Sequence, residues 1–520
     1  MTTRRTGFAW MMTVAVLAAS LAGCALPSLE GRHVSTSLDP EQARATPLGQ
    51  AVTPVVAAHP GQTGNRIIHQ PLDAFATWAR LAREAERTLD MQYYIWSADI
   101  SGTWMFGELL DAAERGVRVR LLLDDMGVTG LDRELAALDD HPNIEVRLFN
   151  PFVLRNRFKW LGFVTDLPRV NRRMHDKVFI ADNQVTIVGG RNINDKYFGA
   201  DPTMQFVDLD VLAVGPAVDH ISRRFDRFWA SPSAYPVDRL LPAAEPGVAD
   251  RLALANERMN SQPRAAEYRS ALERTDLDTA LFGRDGELEW TPATVVADEP
   301  SKGLGVPADR DDLLTYQLRE ILETPSRSID IISSFFVPTP TITEALTTLA
   351  GRGVRVRVLT NSLETTDMPP VHAGYVRYRK ALVKGGVELY EMHPLPGEPP
   401  ESIDLSLFGH SGTSLHTKAV IVDERQAFLG SYNVDPRSVN LNTELGLVIE
   451  SPDLAKRIGR AFDESVPATA YEVRIEDDKL YWLERTVDGE TIRHDEEPGA
   501  GIIKRGAVLL FSLMPIEWLL

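Results

Sequence analysis

Two stretches of this chain share one pattern of apolar and polar positions. In HTKAVIVDERQAFLGSYN, an apolar run from Ala419 to Val422 is headed by His416 and Lys418 and ended by Asp423. A second short run, Ala427 to Leu429, leads into the turn Gly430-Ser431. HDKVFIADNQVTIVGGRN repeats the pattern with His175, Lys177 and Asp182. Both copies place a glycine fourteen residues after the His (Gly189, Gly430) and an asparagine seventeen after it (Asn192, Asn433). Short apolar runs bounded by polar turns read as strands. Side chains at i and i+2 leave a strand on one face, so each His and Lys should emerge side by side.

The duplication extends upstream. RTLDM (87–91) answers RSIDI (327–331), and GVRVR occurs at 116–120 and again at 353–357. These GVRVR copies lie 59 and 63 residues before His175 and His416. Gly116 and Gly353 sit where a helix C-cap glycine belongs. Val117 to Leu123 and Val354 to Leu359 suit a sheet covered on both faces. Leu72, Phe75, Ala79 and Ala82 recur at helical spacing, with Asp73 near the start. Alternating strands and helices predict an α/β layer architecture. The repeats span 66–245 and 311–470. Between them, 246–310 reads as a charged connecting segment with some helix around Leu252, Leu254 and Met259, and 471–520 is a C-terminal extension. Residues 25–65, rich in Ala, Pro, Thr, Gly and Gln without periodicity, read as a flexible tether.

Arg4 and Arg5 precede an apolar stretch, Phe8 to Ala22, that is too short to span a bilayer comfortably. It reads as an export signal. Leu21-Ala22-Gly23-Cys24 resembles a bacterial lipobox, so residues 1–24 predict export and lipid anchoring through Cys24, on the periplasmic face of a membrane. Cys24 is the single cysteine, which excludes an intrachain disulfide and argues against metal–thiolate sites. At the other end, Ala507 to Met514 is apolar but is followed by Pro515 and Glu517. Two readings stand: interfacial insertion with Lys504, Arg505 and Trp518 at headgroup level, or burial against the body.

Charge narrows the partners. The formal net charge is −18, and loss of residues 1–23 leaves 53 basic against 73 acidic residues, a net −20. Nucleic-acid binders need basic surface to neutralise phosphates, so that class is disfavoured. One stretch runs the other way. Residues 152–174 carry Arg155, Arg157, Lys159, Arg169, Arg172 and Arg173 against Asp166, with Phe152, Phe158, Trp160 and Phe163 interleaved. In an acidic protein such a loop predicts contact with anionic headgroups at a bilayer. His372, Tyr375 and Arg379 share a helical face that reads either as a second headgroup contact or as packing.

A nucleophilic imidazole, a fixed cation, a small turn with free N–H groups and an amide suit the holding of a phosphate. HxKxxxxD followed by G[GS]xN, present twice, resembles the phospholipase D superfamily. VHAGYVRYRKALVKGGVELYE, DPRSVNLNTELGLVIES and MPIEWLL resemble the C-type bacterial cardiolipin synthases, and the resemblance runs from about Leu72 to Leu520. It implies two phospholipase D-like α-β-α sandwich domains packed about a pseudo-two-fold axis, with one shared active site. It also implies a phosphatidyltransferase that makes cardiolipin from phosphatidylglycerol and a second phospholipid, phosphatidylethanolamine, through a phosphohistidine. Phospholipase D hydrolysis is the alternative, and nucleic-acid cleavage a more distant one.

On the same resemblance, His175 attacks phosphorus and His416 protonates the leaving alkoxide. Lys177 and Lys418 neutralise the phosphate, and Asn192, Ser431 and Asn433 donate hydrogen bonds to it. No metal or other cofactor is required. Asp182 and Asp423 belong to the catalytic motif, although the far end of the strand puts them out of reach of a phosphate. Aligning VDLDVLAVGP with NTELGLVIESP sets Asp208 opposite Glu444; by resemblance Asp208 orients His175 and Glu444 orients His416. Asp210 is a substitute for Asp208, being on the same strand face.

Overall fold

Each half is built on a sheet, and the two sheets share a central run of seven strands in the same order, with different strands added at their edges. In the first the order is Glu289–Thr291, Thr63–Ile68, Asp210–Val214, Val185–Gly189, Val178–Ala181, Thr88–Ile95, Arg118–Gly127, Ile144–Phe149 and Ala234–Pro236. In the second it is Ala293–Ala297, Leu445–Ile449, Gln426–Gly430, Lys418–Val422, Ser328–Ser333, Arg355–Asn361, Glu388–Met392, Ala470–Glu476, Lys479–Arg485 and Thr491–His494. The structure, a computed structural model, describes residues 26–520 apart from 284–285, 287, 307, 324, 395–412, 487–488, 500, 515–516 and 518–520.

The repeated motifs find their reason in the strand register. Thr88–Ile95 runs parallel to Arg118–Gly127 with Asp90 opposite Arg120, and Ser328–Ser333 runs parallel to Arg355–Asn361 with Asp330 opposite Arg357. Each pair is a buried, two-pronged ion pair, at 2.6 and 2.7 Å in the first half and 2.5 and 2.7 Å in the second. A buried charge is tolerated when its partner satisfies it in this fork geometry. The charged positions inside GVRVR are thus matched to the Asp of RTLDM and RSIDI. Gly116 and Gly353 take φ values of +94° and +89°, the left-handed conformation that turns the chain from helix to strand.

The inner faces of the two sheets share one core. Ile180, Val188 and Val211 from the first meet Ile421, Leu429 and Leu447 from the second. Helices Pro216–Trp229 and Pro452–Glu464 contribute Ile221, Phe225, Ile458 and Phe462 to it. Separate outer cores lie on the far face of each sheet. The α/β class and the duplicated, layered architecture are as the sequence predicts.

Three segments differ from their expected roles. Residues 40–58 are not a tether: they form helices Pro40–Ala45 and Pro47–Ala58, capped by Asp39 and Thr46, and bury Leu48 and Val52 in the outer core of the first half. Ahead of them, Arg32 donates to the carbonyls of Ser231 and Ala234. Helix capping and a few buried aliphatics outweigh a composition that reads as linker. The segment 246–310 does more than connect. Helices Val248–Ser261, Ala265–Glu273 and Leu277–Phe282 cover the first half, while Glu289–Thr291 joins one sheet and Ala293–Ala297 the other. The C-terminal extension widens the second sheet by three strands, then lays helix Ile502–Ser512 against helix Pro369–Lys384.

Candidate active site

Both His-x-Lys stretches lie at the seam between the halves, and the backbone there is cross-paired. His175 N donates to Thr443 O at 3.0 Å, and Thr443 N donates to Arg173 O at 2.9 Å. Symmetrically, Thr413–Leu415 pairs in parallel with Gln205–Val207, and His416 N donates to Val207 O at 2.8 Å. The residue after Thr443 is Glu444, and the residue after Val207 is Asp208. Each His is therefore delivered beside an acid of the other half.

The side chains complete this exchange. Nδ1 of His175 lies 2.8 Å from Oε2 of Glu444, and Nδ1 of His416 lies 2.5 Å from Oδ2 of Asp208. This corrects the expected pairing, in which Asp208 served His175 and Glu444 served His416. Alignment of the repeats finds the two acids but cannot say which crosses the seam. Asp210 is no substitute: it holds Arg191 in an ion pair at 2.5 Å.

The copies differ around these acids. Ser431 Oγ donates to Glu444 Oε2 at 2.5 Å, and Ser438 Oγ donates to Oε1 at 2.9 Å. At Gly190, the counterpart of Ser431, a β-carbon would come within 2.2 Å of Asp208 Oδ1. The glycine makes room for the acid, whereas the serine holds the longer one.

The expected phosphate donors are mostly engaged elsewhere. Asn192 accepts from Ile95 N at 3.0 Å and donates to the Tyr197 hydroxyl at 2.8 Å. Ser431 serves Glu444. Asn433 accepts from Ser334 Oγ at 3.0 Å, and Ser334 in turn accepts from Lys418 Nζ at 3.0 Å. Asp182 and Asp423 stand away from the pocket. Asp182 accepts from the N–H groups of Glu86, Arg87 and Thr88, and Asp423 from those of Ser326, Arg327 and Ser328. Both tie down the entry to a central strand, so their place in the motif is architectural.

Sequence reasoning missed two tyrosines, both from the first half. Tyr94 packs edge-on against His175 with ring centres 5.1 Å apart, and its ring also faces Lys177 Nζ at 5.5 Å. Tyr197 places its hydroxyl 3.2 Å from Nε2 of His416. Their positions in the second half are held by Ser334 and Ser438, a contrast visible in the aligned repeats.

The site is buried and electrostatically tense. His175 and His416 are each only 7% exposed. Burial, then the neighbouring Lys177 and Lys418, hold both imidazoles well below the usual histidine range. Burial also pushes Lys177 down to about 7, opposed by Glu444, and Lys418 down to about 8, opposed by Asp208. It lifts Asp208 to about 6 against the pull of Lys418. Four buried groups whose charged forms are disfavoured without an anion are what a phosphodiester site requires.

Two other sequence readings resolve as packing. In the stretch 152–174, Arg155 pairs with Asp125 and Asp132, Lys159 with Asp125, Arg169 with Asp166, and Arg173 with Asp124. Arg172 donates to the carbonyls of Lys302 and Asn440; the Arg157 side chain lies outside the described residues. Among the described side chains the loop instead turns apolar groups outward, with Phe158, Trp160, Phe163 and Val164 exposed. His372 and Arg379 bind Glu497 at 2.7 and 2.6 Å, while Tyr375 donates to Glu391 at 2.6 Å, all within a buried network. Helix Ile502–Ser512 buries Val508 against Leu363 and Ala373 yet exposes Leu509 and Leu510, and Leu513 is exposed just past its end. Lys504 is tied to the carbonyls of Glu364 and Thr366. Cys24 and Trp518 lie outside the described residues.

Comparison with known proteins agrees with this geometry. The family model described as "Cardiolipin synthase, PLD-like domain" matches residues 79–229 and 318–466, one match per half. The chain is 45% identical to cardiolipin synthase C of Escherichia coli (strain K12) over 91% of its own length and 99% of that protein. It is 26% identical to cardiolipin synthase B of Shigella flexneri over 70% of this chain and 71% of the relative. Among solved structures, phosphatidylserine synthase of Haemophilus influenzae Rd KW20 superposes with a TM-score of 0.57 at 14% identity, covering 91% of this chain and 99% of that one, a likeness of fold. With a duplicated fold, paired His-x-Lys stretches and a family match in each half, this chain belongs to the phospholipase D-like cardiolipin synthase family.

Proposed function

We propose that this protein is a membrane-associated phosphatidyltransferase that makes cardiolipin through a phosphohistidine. The observation that carries the reading is the pair of buried imidazoles, each clamped at Nδ1 by a carboxylate from the opposite half. A carboxylate on Nδ1 leaves the Nε2 lone pair of His175 to attack phosphorus. The bond to the departing alkoxide breaks, and His416 supplies that oxygen with a proton. The hydroxyl of the second lipid then returns a proton to His416 as its oxygen displaces the imidazole. Lys177 and Lys418 neutralise the phosphoryl oxygens, with the Asn433 amide as a further donor. Asn192 reaches this chemistry only through Tyr197.

The acceptor in this reading is phosphatidylglycerol and the donor phosphatidylethanolamine. Burial of both histidines favours transfer to a lipid hydroxyl over hydrolysis, because bulk water has little access. The bilayer is met through the exposed aromatic surface at 158–164 and the outer face of helix Ile502–Ser512, with export and lipidation at Cys24 holding the enzyme at the membrane.

The deciding experiment incubates purified protein with isotopically labelled phosphatidylglycerol, with and without phosphatidylethanolamine, and reads the lipids by mass spectrometry. Labelled cardiolipin that rises with phosphatidylethanolamine is the expected result. Phosphatidic acid as the sole product would assign hydrolysis instead.

A further inference from the structure

The two imidazoles are not equivalent at the nitrogen that does chemistry. Nε2 of His416 faces the Tyr197 hydroxyl at 3.2 Å, and that oxygen accepts from the Asn192 amide at 2.8 Å. Tyr197 is 3% exposed, and its ring stands perpendicular to the His416 ring with centres 5.0 Å apart. Its neighbour Phe206 packs on both rings. Among the described residues Nε2 of His175 has no such group: Tyr94 contributes only ring packing at a steep angle, and the second-half counterpart of Tyr197 is Ser438, turned onto Glu444.

From this asymmetry we infer that the Tyr197 hydroxyl is a catalytic group that fixes His416 as the acid–base partner and leaves His175 to attack phosphorus. A phenol can meet an imidazole nitrogen in either protonation state. When Nε2 is bare, the hydroxyl donates to it, as in a chain running from Asn192 N–H to Tyr197 O–H, to His416, and on to Asp208. When Nε2 carries a proton, the phenol oxygen accepts from it, and its own hydrogen is released toward the phosphoryl oxygens. The hydroxyl therefore reverses its role once in each half-reaction. In the first, the N–P bond to His175 forms, the P–O bond to the leaving alkoxide breaks, and the proton on His416 Nε2 goes to that alkoxide. In the second, the acceptor hydroxyl gives its proton to Nε2 as its oxygen bonds phosphorus and the N–P bond breaks. No proton leaves Tyr197 for good, and burial, which holds its pKa well above the usual phenol value, keeps it a hydroxyl. The charged or titratable groups bearing on His416 besides Tyr197 are Asp208, Lys418, Lys177, His175 and Arg191. Of these five, Asp208 and Lys418 meet the ring at Nδ1, Lys177 and Arg191 can only donate, and His175 is held by Glu444 with its Nε2 kept for phosphorus.

The inference rests on the phosphohistidine reading, and one experiment separates the two. Tyr197→Phe keeps the ring and its packing, so folding is preserved and is checked by an unchanged melting temperature. The phosphatidyl donors are phosphatidylethanolamine and a phosphatidyl ester of p-nitrophenol, whose leaving group departs without a proton, each with phosphatidylglycerol as the acceptor. In the variant the single-turnover burst of p-nitrophenolate should stay within about threefold of wild type. Turnover of phosphatidylethanolamine, and the steady state on the activated ester, should fall about tenfold or more. Peptide mapping of the quenched burst should find the adduct on the His175 peptide in both proteins. Equal loss in burst and steady state, no loss in either, or an adduct on the His416 peptide would each overturn the role of Tyr197. Absence of any histidine adduct in an active wild-type enzyme would instead remove the covalent reading itself.

Discussion

Nδ1 of His175 is held by Oε2 of Glu444, 269 positions further along the chain and in the other half of the molecule, at 2.8 Å. His416 and Asp208 make the reciprocal contact at 2.5 Å. Neither half thus holds a complete imidazole–carboxylate pair. The two must dock before either histidine has a fixed tautomer, so cross-pairing of the backbone at Thr443 and Val207 is a condition of activity as well as of folding.

This exchange predicts crossed phenotypes. Glu444→Gln should behave like His175→Ala, with the p-nitrophenolate burst reduced on the order of 10²-fold or more, since misassigned tautomers are costly to such dyads. Asp208→Asn should behave like His416→Ala, retaining the burst and failing on alkyl leaving groups. Rapid-quench kinetics on the four single variants would decide it, and the opposite correspondence would contradict the contacts seen here.

Anion affinity should fall as pH rises. Lys177 and Lys418 bind a phosphodiester only when protonated, and their free-state values of about 7 and about 8 lie below the usual lysine value. Proton loss removes the attraction, so the sign is weakening with increasing pH. Inhibition by a short-chain phosphodiester, whose charge does not titrate in this range, should weaken about tenfold per pH unit above 7 and more steeply above 8. Lys177→Met should remove the lower of the two transitions. A flat inhibition constant from pH 6.5 to 9 would mean the lysines stay charged without a ligand.

Asp182 should matter for stability rather than chemistry. It is fully buried and accepts from three successive backbone N–H groups. Asp182→Ala leaves them unsatisfied at a cost of about 2–3 kcal/mol. Denaturant unfolding should show that loss, while turnover per folded active site stays within about tenfold of wild type, far above the His175 and His416 variants. A properly folded variant as inactive as His175→Ala would return Asp182 to the chemistry.

Membrane contact at 158–164 should be apolar in character. In full-length protein carrying Cys24→Ser, which blocks lipidation, Trp160→Ser with Val164→Ser should weaken binding to phosphatidylglycerol vesicles by about 2 kcal/mol, roughly thirtyfold. Salt should alter that binding little, because Arg155, Lys159, Arg169 and Arg173 already hold internal carboxylates. Binding that collapses between 50 and 500 mM salt, with the apolar variant unaffected, would restore the electrostatic reading.

The chain pattern alone determined the duplication, the α/β layering and the two His-x-Lys stretches, because strand period, glycine caps and repeated strings are local properties. It also singled out Asp208 and Glu444 as the acids at one aligned position. Only the tertiary structure decided which acid meets which imidazole, since that depends on how two surfaces register across a seam and not on spacing within either. The same holds for the stretch at 152–174. Its charges look free in sequence, but they find Asp124 and Asp125 near the end of strand Arg118–Gly127 and Asp132 just past it, and Phe158, Trp160 and Phe163 are left facing outward. Residues 40–58 show the limit from the other side: a composition typical of linkers folds because two caps and a few buried aliphatic side chains suffice once a core is there to receive them. Tyr197 is the sharpest case. It is an ordinary residue five places past Asn192, and it gains its chemical meaning only when the second half brings His416 to its hydroxyl.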